Sequence, residues 1–448
     1  MHHDIHGLAI STQSAAAADA FNDTLRGYLK YRADLPQRLG RTLEADANFA
    51  LAHVLRGYLM MLSYKQANVA AAREAADAAR PLPRTRRESL HLAALDAWIA
   101  ADLDRALATW EDILASDPTD VLALRLSHFN YFWLGRANSM RASLARVAGS
   151  WSPELEGWGT LLSCECFAHE ECGDYETAEP KGRAAVELDP GDVWGTHAVA
   201  HVLEMLGRHD DGIAWLKGLE ANWKGAANLV HHLYWHRSMY HLERGEFDVV
   251  LDLYDRCFRD LAGPLTLAAP DVYIDIQNAS SMLFRLERQG IDVGDRWTEI
   301  ADKAEARIGD CVSAFTLPHW MMALAATGRY AAGKRMLEEM RAAGRTGGTV
   351  PTIVGRVAVP VCEAVLAHRR GDHELALVAM RPVLGELYRL GGSHAQQDVL
   401  KQLFVDCAVK AGRGEDARLI LAHLRARYPH VQPEERIGYR DAARRFAA

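Results

Sequence analysis

The stretch Gly173 to Gly207, GDYETAEPKGRAAVELDPGDVWGTHAVAHVLEMLG, constrains the fold of this chain more than any other. Its bounding glycines stand 34 residues apart. That spacing is the period of a helix–turn–helix repeat, in which each unit buries its apolar face only against its neighbours. Ala178 and Ala185 supply small packing positions. The second helix must stop at Asp189-Pro190, because proline cannot extend a helix and turns its predecessor out of the helical region. A new helix then runs from Val193 to Leu206. It carries Trp194, His197, His201 and Glu204 at steps of three, four and three, which puts all four on one helical face.

The rest of the chain repeats the theme. Asp117-Pro118 closes a unit that starts near Arg86, and Gly135, Gly245, Gly328, Gly371 and Gly412 mark later turns. Only 15 prolines occur in 448 residues, and no alternating apolar and polar run stands out, so the chain reads as helical throughout. The spacing matches tetratricopeptide repeats. It predicts an all-α, right-handed α-solenoid of about ten to twelve helix pairs, curved around a central concave pocket. Residues 1–20 read as a partly extended leader with Ser11-Thr12 and Ser14 as helix-cap candidates. Gly344 to Pro351 reads as the most flexible linker, and residues 436–448 as a C-terminal capping helix. With repeats almost end to end, residues 1–448 are expected to form a single domain.

Composition removes several function classes. A formal net charge of -8 gives no basic surface for nucleic acid. No uninterrupted apolar stretch is expected to span a bilayer. The start, MHHDIHGLAIST, lacks the cationic region and apolar core of a signal peptide, which predicts a cytoplasmic protein. Seven scattered cysteines, an odd number, fit reduced thiols better than a disulfide framework. Cys164, Cys166 and Cys172 suit tight helix packing rather than a metal cluster, since residues two apart on a helix diverge. No P-loop, GxGxxG, nucleophile elbow or zinc-finger spacing is present.

The runs HAVAHVLEMLGRHDDGIAWL, HHLYWHRSMYHLERGEFDVVLDLYD and GGSHAQQD resemble the tetratricopeptide repeat protein 38 family, as do the leading GLAIST and the LHLAALDAW…LATWEDIL segment. The likeness covers nearly the whole chain. It implies a superhelix of helix pairs and little settled function. Cys164-Glu165-Cys166 and His169 depart from the family pattern, so residues near them are particular to this chain.

Repeat register sharpens the search for a site. In tetratricopeptide geometry the second, fifth, ninth and twelfth positions of the first helix face the groove. Taking each turn glycine as position fifteen puts Trp194, His197, His201 and Glu204 inward. The preceding unit adds Phe167 and Glu170, and the following one His232, Trp235 and Met239. Earlier units present Glu88, His91 and Arg125. His231, His236 and His241 fall outside the groove positions, although His236, beside Trp235, stays within reach of a ligand. Asp275 either caps its helix or reaches the pocket.

Titratable groups beside aromatics in a concavity are what a small-ligand site looks like. The expectation is therefore a His/Glu acid–base site acting on a small polar organic substrate by isomerisation, elimination or hydrolysis. His201 and Glu204 form its centre, with His197, His232 and Glu170 around them. Trp194, Trp235, His91, Glu88, Arg125, Phe167, His236 and Asp275 are its substrate contacts. In GGSHAQQD, Ser393 caps a helix, leaving His394 and Gln396 as contacts from a loop. No cofactor is required. A divalent metal on His197, His201 and Glu204 is the runner-up, since histidines at i and i+4 can share one ion; Ala198, however, stands where a zincin helix would carry its general base. The alternative to an enzyme is a non-catalytic scaffold that holds a peptide or partner protein in the groove. A homodimer is compatible with either.

Overall fold

The computed structural model describes residues 2–446. Eleven helix pairs follow one another between Ala15 and Arg427, and the fold is an all-α repeat solenoid. The only sheet among the described residues is a minimal hairpin, His2–His3 against Ala9–Ile10. Inter-residue contacts divide the chain into two compact units. One comprises 1–199 with 219–229 and 348–350; the other comprises 200–218, 230–347 and 351–448.

The turns explain the period. At Gly173 the glycine N–H bonds to the Glu170 carbonyl and the Asp174 N–H reaches back to the His169 carbonyl. These are the two bonds of a Schellman motif, which needs a left-handed residue at its corner. Gly173 and Gly207 occupy that corner with φ of 80° and 68°. Three early turns, by contrast, put Tyr31, Tyr64 and Ala101 in the left-handed region. The Asp-Pro stop also holds: the helix Tyr175–Leu188 ends before Asp189-Pro190, and the Asp192 carboxylate accepts the N–H groups of Trp194 and Gly195 to start Val193–Met205.

In the first unit, pairs such as Arg86–Ile99 with Leu103–Ser116 and Trp158–Glu171 with Tyr175–Leu188 pack side by side. Close approach is set by small residues: a Cβ on Gly182 would sit 2.5 Å from the Cys166 sulfur and 2.6 Å from Val199. All seven cysteines are free. Trp110 is fully buried, and its Nε1 donates to the Tyr58 hydroxyl. Ser14 caps the helix Ala15–Leu29, which begins inside the expected leader.

In the second unit, Tyr273–Arg288 packs against Thr316–Ala326 and His394–Lys410. Three sequence expectations need correction here. The linker at Gly344 ends at Gly348, because Thr349–Ile353 is already helical and Pro351 sits in its first turn, where a missing N–H costs nothing. The helical run Thr349–Arg369 is also long and apolar enough, by length and composition, to cross a membrane. Most of its apolar window is buried inside the protein, as in a core helix. The C-terminal helix is shorter than expected, Arg440–Arg445, and residues 447–448 of the expected capping helix lie outside the described residues.

Candidate metal centre

The first unit gathers several of the candidate residues into closed contacts. Glu88 is fully buried. It completes a capping box with Thr85, accepting the Thr85 N–H at 2.7 Å, and its other oxygen takes the Ser11 N–H. The His91 Nε2–H donates to the Asp120 carboxylate at 2.9 Å, and Arg87 bridges Asp120 and Asp4 at 2.8 and 3.0 Å. Of the two residues expected at a groove, His91 is tied into this buried brace and Glu88 into the helix cap. Arg125 donates to the Tyr31 hydroxyl at 2.6 Å and to the Cys164 sulfur at 3.1 Å. Its guanidinium lies 5.0 Å from the Trp194 ring centre. Phe167, Trp194 and His197 pack ring to ring, with centroids 4.9 to 5.4 Å apart. Glu170 is fully buried near the end of its helix.

The second unit holds a different kind of cluster. His201 comes from the end of Val193–Met205, and His232 and His236 come from Leu229–Glu243. Four residues apart on one helix, His232 and His236 share a face, which is why both meet His201. The ring centroids are 4.3 Å apart for His201 and His236, 4.6 Å for His232 and His236, and 6.4 Å for His201 and His232. One ring nitrogen of each lies within 4.8 Å of the others. All three are buried, His201 and His236 completely. The groove template excluded His236, yet it sits at the middle of the group.

What surrounds the imidazoles fixes their chemistry. The His232 Nδ1 bonds to the Asn278 side-chain oxygen at 2.8 Å. An amide oxygen only accepts, so Nδ1 carries the proton and Nε2 the lone pair. The His236 Nδ1 bonds to a Glu204 carboxyl oxygen, also at 2.8 Å. Burial pushes His236 down to about 3 and His232 well below the usual histidine range, the latter helped by its neighbour His236. The His232 and His236 imidazoles are therefore neutral at physiological pH. Burial raises the Glu204 carboxyl to about 7, against the pull of Arg285 and Arg436. The cavity that Glu204 lines, with Tyr240, Glu243 and Arg436, holds about 30 Å³. That is room for water, not for an organic substrate.

A supporting layer lies behind the rings. Trp235 stacks on His232 at 5.0 Å with planes 9° apart, and the Arg285 guanidinium lies 5.9 Å from the Trp235 ring centre. Arg285 in turn donates to the Ala395 carbonyl at 2.9 Å, which ties in the GGSHAQQD segment. There Ser393 and Gln396 form a reciprocal capping box, so Gln396 is a helix-start residue and its amide turns to Gln277. Asp275 pairs with His231 at 3.0 Å. His394 belongs elsewhere, bonded to Arg427 at 2.8 Å. Asn278 and Arg285 were missed in the sequence. Their signal was available in outline: Asp275 and Asn278 are three apart on one helix, matching consecutive His231 and His232 on another.

No protein-family model matches the chain. Among solved structures, it is similar to a chain of "Structure of Naa15/Naa10 bound to HypK-THB", at 12% identity and a TM-score of 0.26, covering 92% of this chain. The chain spans 64% of the length of that one. It is also similar to the pentatricopeptide repeat protein PPR10 from maize, at 14% identity and a TM-score of 0.22, covering 95% of this chain and 69% of that one.

Proposed function

We propose that the second unit is a metal-binding centre, with His201, His232 and His236 as ligands for a zinc-type divalent ion. The observation that carries this reading is the pair of hydrogen bonds behind the rings, from Nδ1 of His232 to Asn278 and from Nδ1 of His236 to Glu204. Metal-ligating histidines donate their second N–H to a carboxylate or carbonyl, which fixes the tautomer and aims the other nitrogen at the ion. Neutral imidazoles are the ligand form, and their nitrogen donors suit zinc, copper, iron or nickel.

Three histidines with an open position favour catalysis by a metal-bound water, whose pKa falls to about 7 in such sites. The reaction class is then hydration or hydrolysis of a substrate no larger than a few atoms, since the cavity beside Glu204 holds only about 30 Å³. Glu204, bonded to His236, supplies the acid–base partner that the sequence pattern leads one to expect. A second reading rests on the repeat architecture itself: a scaffold that holds a peptide or partner protein, with the histidines as a structural brace. Elemental analysis of the purified full chain after zinc loading and desalting separates the two. The metal reading expects about one ion per chain, lost in His232→Ala and in His236→Ala. An ion-free wild type would leave the scaffold reading standing.

A further inference from the structure

A second site lies elsewhere in the second unit, in a cavity of about 600 Å³ between the end of the helix Phe247–Leu253, the loop after it and the helix Arg296–Ala306. The first of these helices ends in a π-helical turn, Tyr254–Phe258, where the Arg259 N–H bonds to the Tyr254 carbonyl five residues back at 2.9 Å. Such wide turns recur at functional sites. This one brings Tyr254 and Arg259 together at the floor of the cavity, and both are more than nine-tenths buried. Arg259 is tied to Glu299 by two bonds of 2.7 Å, from Nε and Nη2. Its Nη1 group and the Tyr254 hydroxyl are buried with no hydrogen-bond partner among the described residues. Burial, and then Glu299, push the Tyr254 hydroxyl far above the usual phenol range, so it keeps its proton and stands as a donor.

The rim has the opposite character. Asp255 is matched by Arg296 at 2.6 and 2.8 Å, and Asp302 by Arg329 at 2.6 Å. Asp260 accepts the Ala262 N–H at 3.0 Å and Asp295 adds to the field on Arg296, but neither forms an ion pair among the described residues. Floor and rim therefore ask for different groups. A buried donor without a partner is costly until it meets an acceptor. That acceptor is uncharged, because Glu299 already neutralises Arg259 and an anion would have to pass the carboxylates of the rim. The rim itself calls for a cation. Leu261, 49% exposed on the same wall, offers apolar surface to the stem of a long cationic side chain. The volume is that of a small-ligand site rather than of a buried water.

From this juxtaposition we infer that the cavity binds a short basic peptide segment, whose amide carbonyls accept from Tyr254 and Arg259 while its lysine or arginine side chains meet Asp260 and Asp295. The site needs no ion, so the outcome at the metal centre does not bear on it. The probe is acetyl-Lys-Gly-Lys-amide, titrated calorimetrically into the full chain beside acetyl-Glu-Gly-Glu-amide, acetyl-Gly-Gly-Gly-amide and spermidine. The basic peptide is expected to bind once per chain and the other three at least about tenfold more weakly. Asp295 makes no side-chain cap bond, so Asp295→Asn leaves its helix intact and should weaken the basic peptide about threefold. Tyr254→Phe should weaken it about fivefold without lowering the melting temperature, since the hydroxyl it removes has no partner in the free protein. Equal binding of spermidine would overturn the proposal by showing that negative charge alone attracts the ligand. Equal binding of the acidic peptide would remove the rim from it, and no binding of the basic peptide to the wild type would end it. A Tyr254→Phe protein that melts lower and binds as the wild type does would show that the hydroxyl is structural and overturn the floor contact.

Discussion

Two buried polar clusters use the same residue types to opposite ends. In the first unit, Arg87 sits between Asp4 and Asp120, and His91 closes on Asp120. Every charge there meets an opposite one, and the group bridges the N-terminal hairpin to two helices. In the second unit, three histidines face one another, and their acid and amide partners stand behind them. The first arrangement spends its polar atoms on holding the chain together. The second holds two imidazoles from behind, through Asn278 and Glu204, and brings one ring nitrogen of each of the three within 4.8 Å of the others. Histidine and carboxylate in one sequence thus say little about role until it is known which atoms face inward.

The comparison can be broken most sharply at Arg87. Arg87→Met removes one cation and leaves two buried carboxylates, so it should cost about 3–5 kcal/mol in urea unfolding. His232→Gln in the other cluster should cost less, about 1–3 kcal/mol for a partner left unmatched. Equal losses would mean that the histidines are a brace as well.

Acid should separate the clusters too. Burial alone would raise the Asp120 carboxyl, but His91, Arg87 and the Ala123 N–H hold it far below the usual range. Its pKa is lower folded than unfolded, so its contribution is complete above about pH 4 and is lost as pH falls below that. Wild-type stability should therefore drop between neutral pH and pH 3 more steeply than that of Asp120→Asn. Parallel curves for the two proteins would remove Asp120 from the account.

The repeat period was legible because its signals are local: an Asp-Pro stop and a glycine at a Schellman corner act within a few residues. The candidate site was legible by halves. His201 and Glu204 share a helix, and their common face follows from spacing alone. The partners that give the histidines a direction come from other helices: Asn278 lies 46 residues from His232, and Glu204 lies 32 from His236. Pairings across helices depend on the exact rotation of each one, and a groove template is too coarse to place neighbours such as Trp235 and His236. Glu88 shows the converse. Its place at the third position after Thr85 is a capping-box signature, and that local demand outweighs the register argument.

Smaller effects sharpen the contrast. Glu204→Gln and Asn278→Ala touch no ion directly, yet each should weaken zinc binding about 10–100-fold through loss of ring orientation. His91→Gln, in the brace, should leave zinc affinity unchanged. The smallest expected effect concerns the turns. Ala101 holds a φ of 60° that glycine adopts without cost, so Ala101→Gly should raise stability by up to about 1 kcal/mol. A lower melting temperature in that variant would show that the turn is not strained.

Cobalt(II) titration followed by visible absorption tests the central claim most directly, because the spectrum reports both stoichiometry and coordination. The account predicts saturation at about one cobalt per chain with the intense bands of a four-coordinate nitrogen-rich site, displaced by zinc and absent in the His201→Ala, His232→Ala and His236→Ala proteins. A wild-type spectrum no different from free hexaaqua cobalt, or one unchanged by all three substitutions, would contradict it.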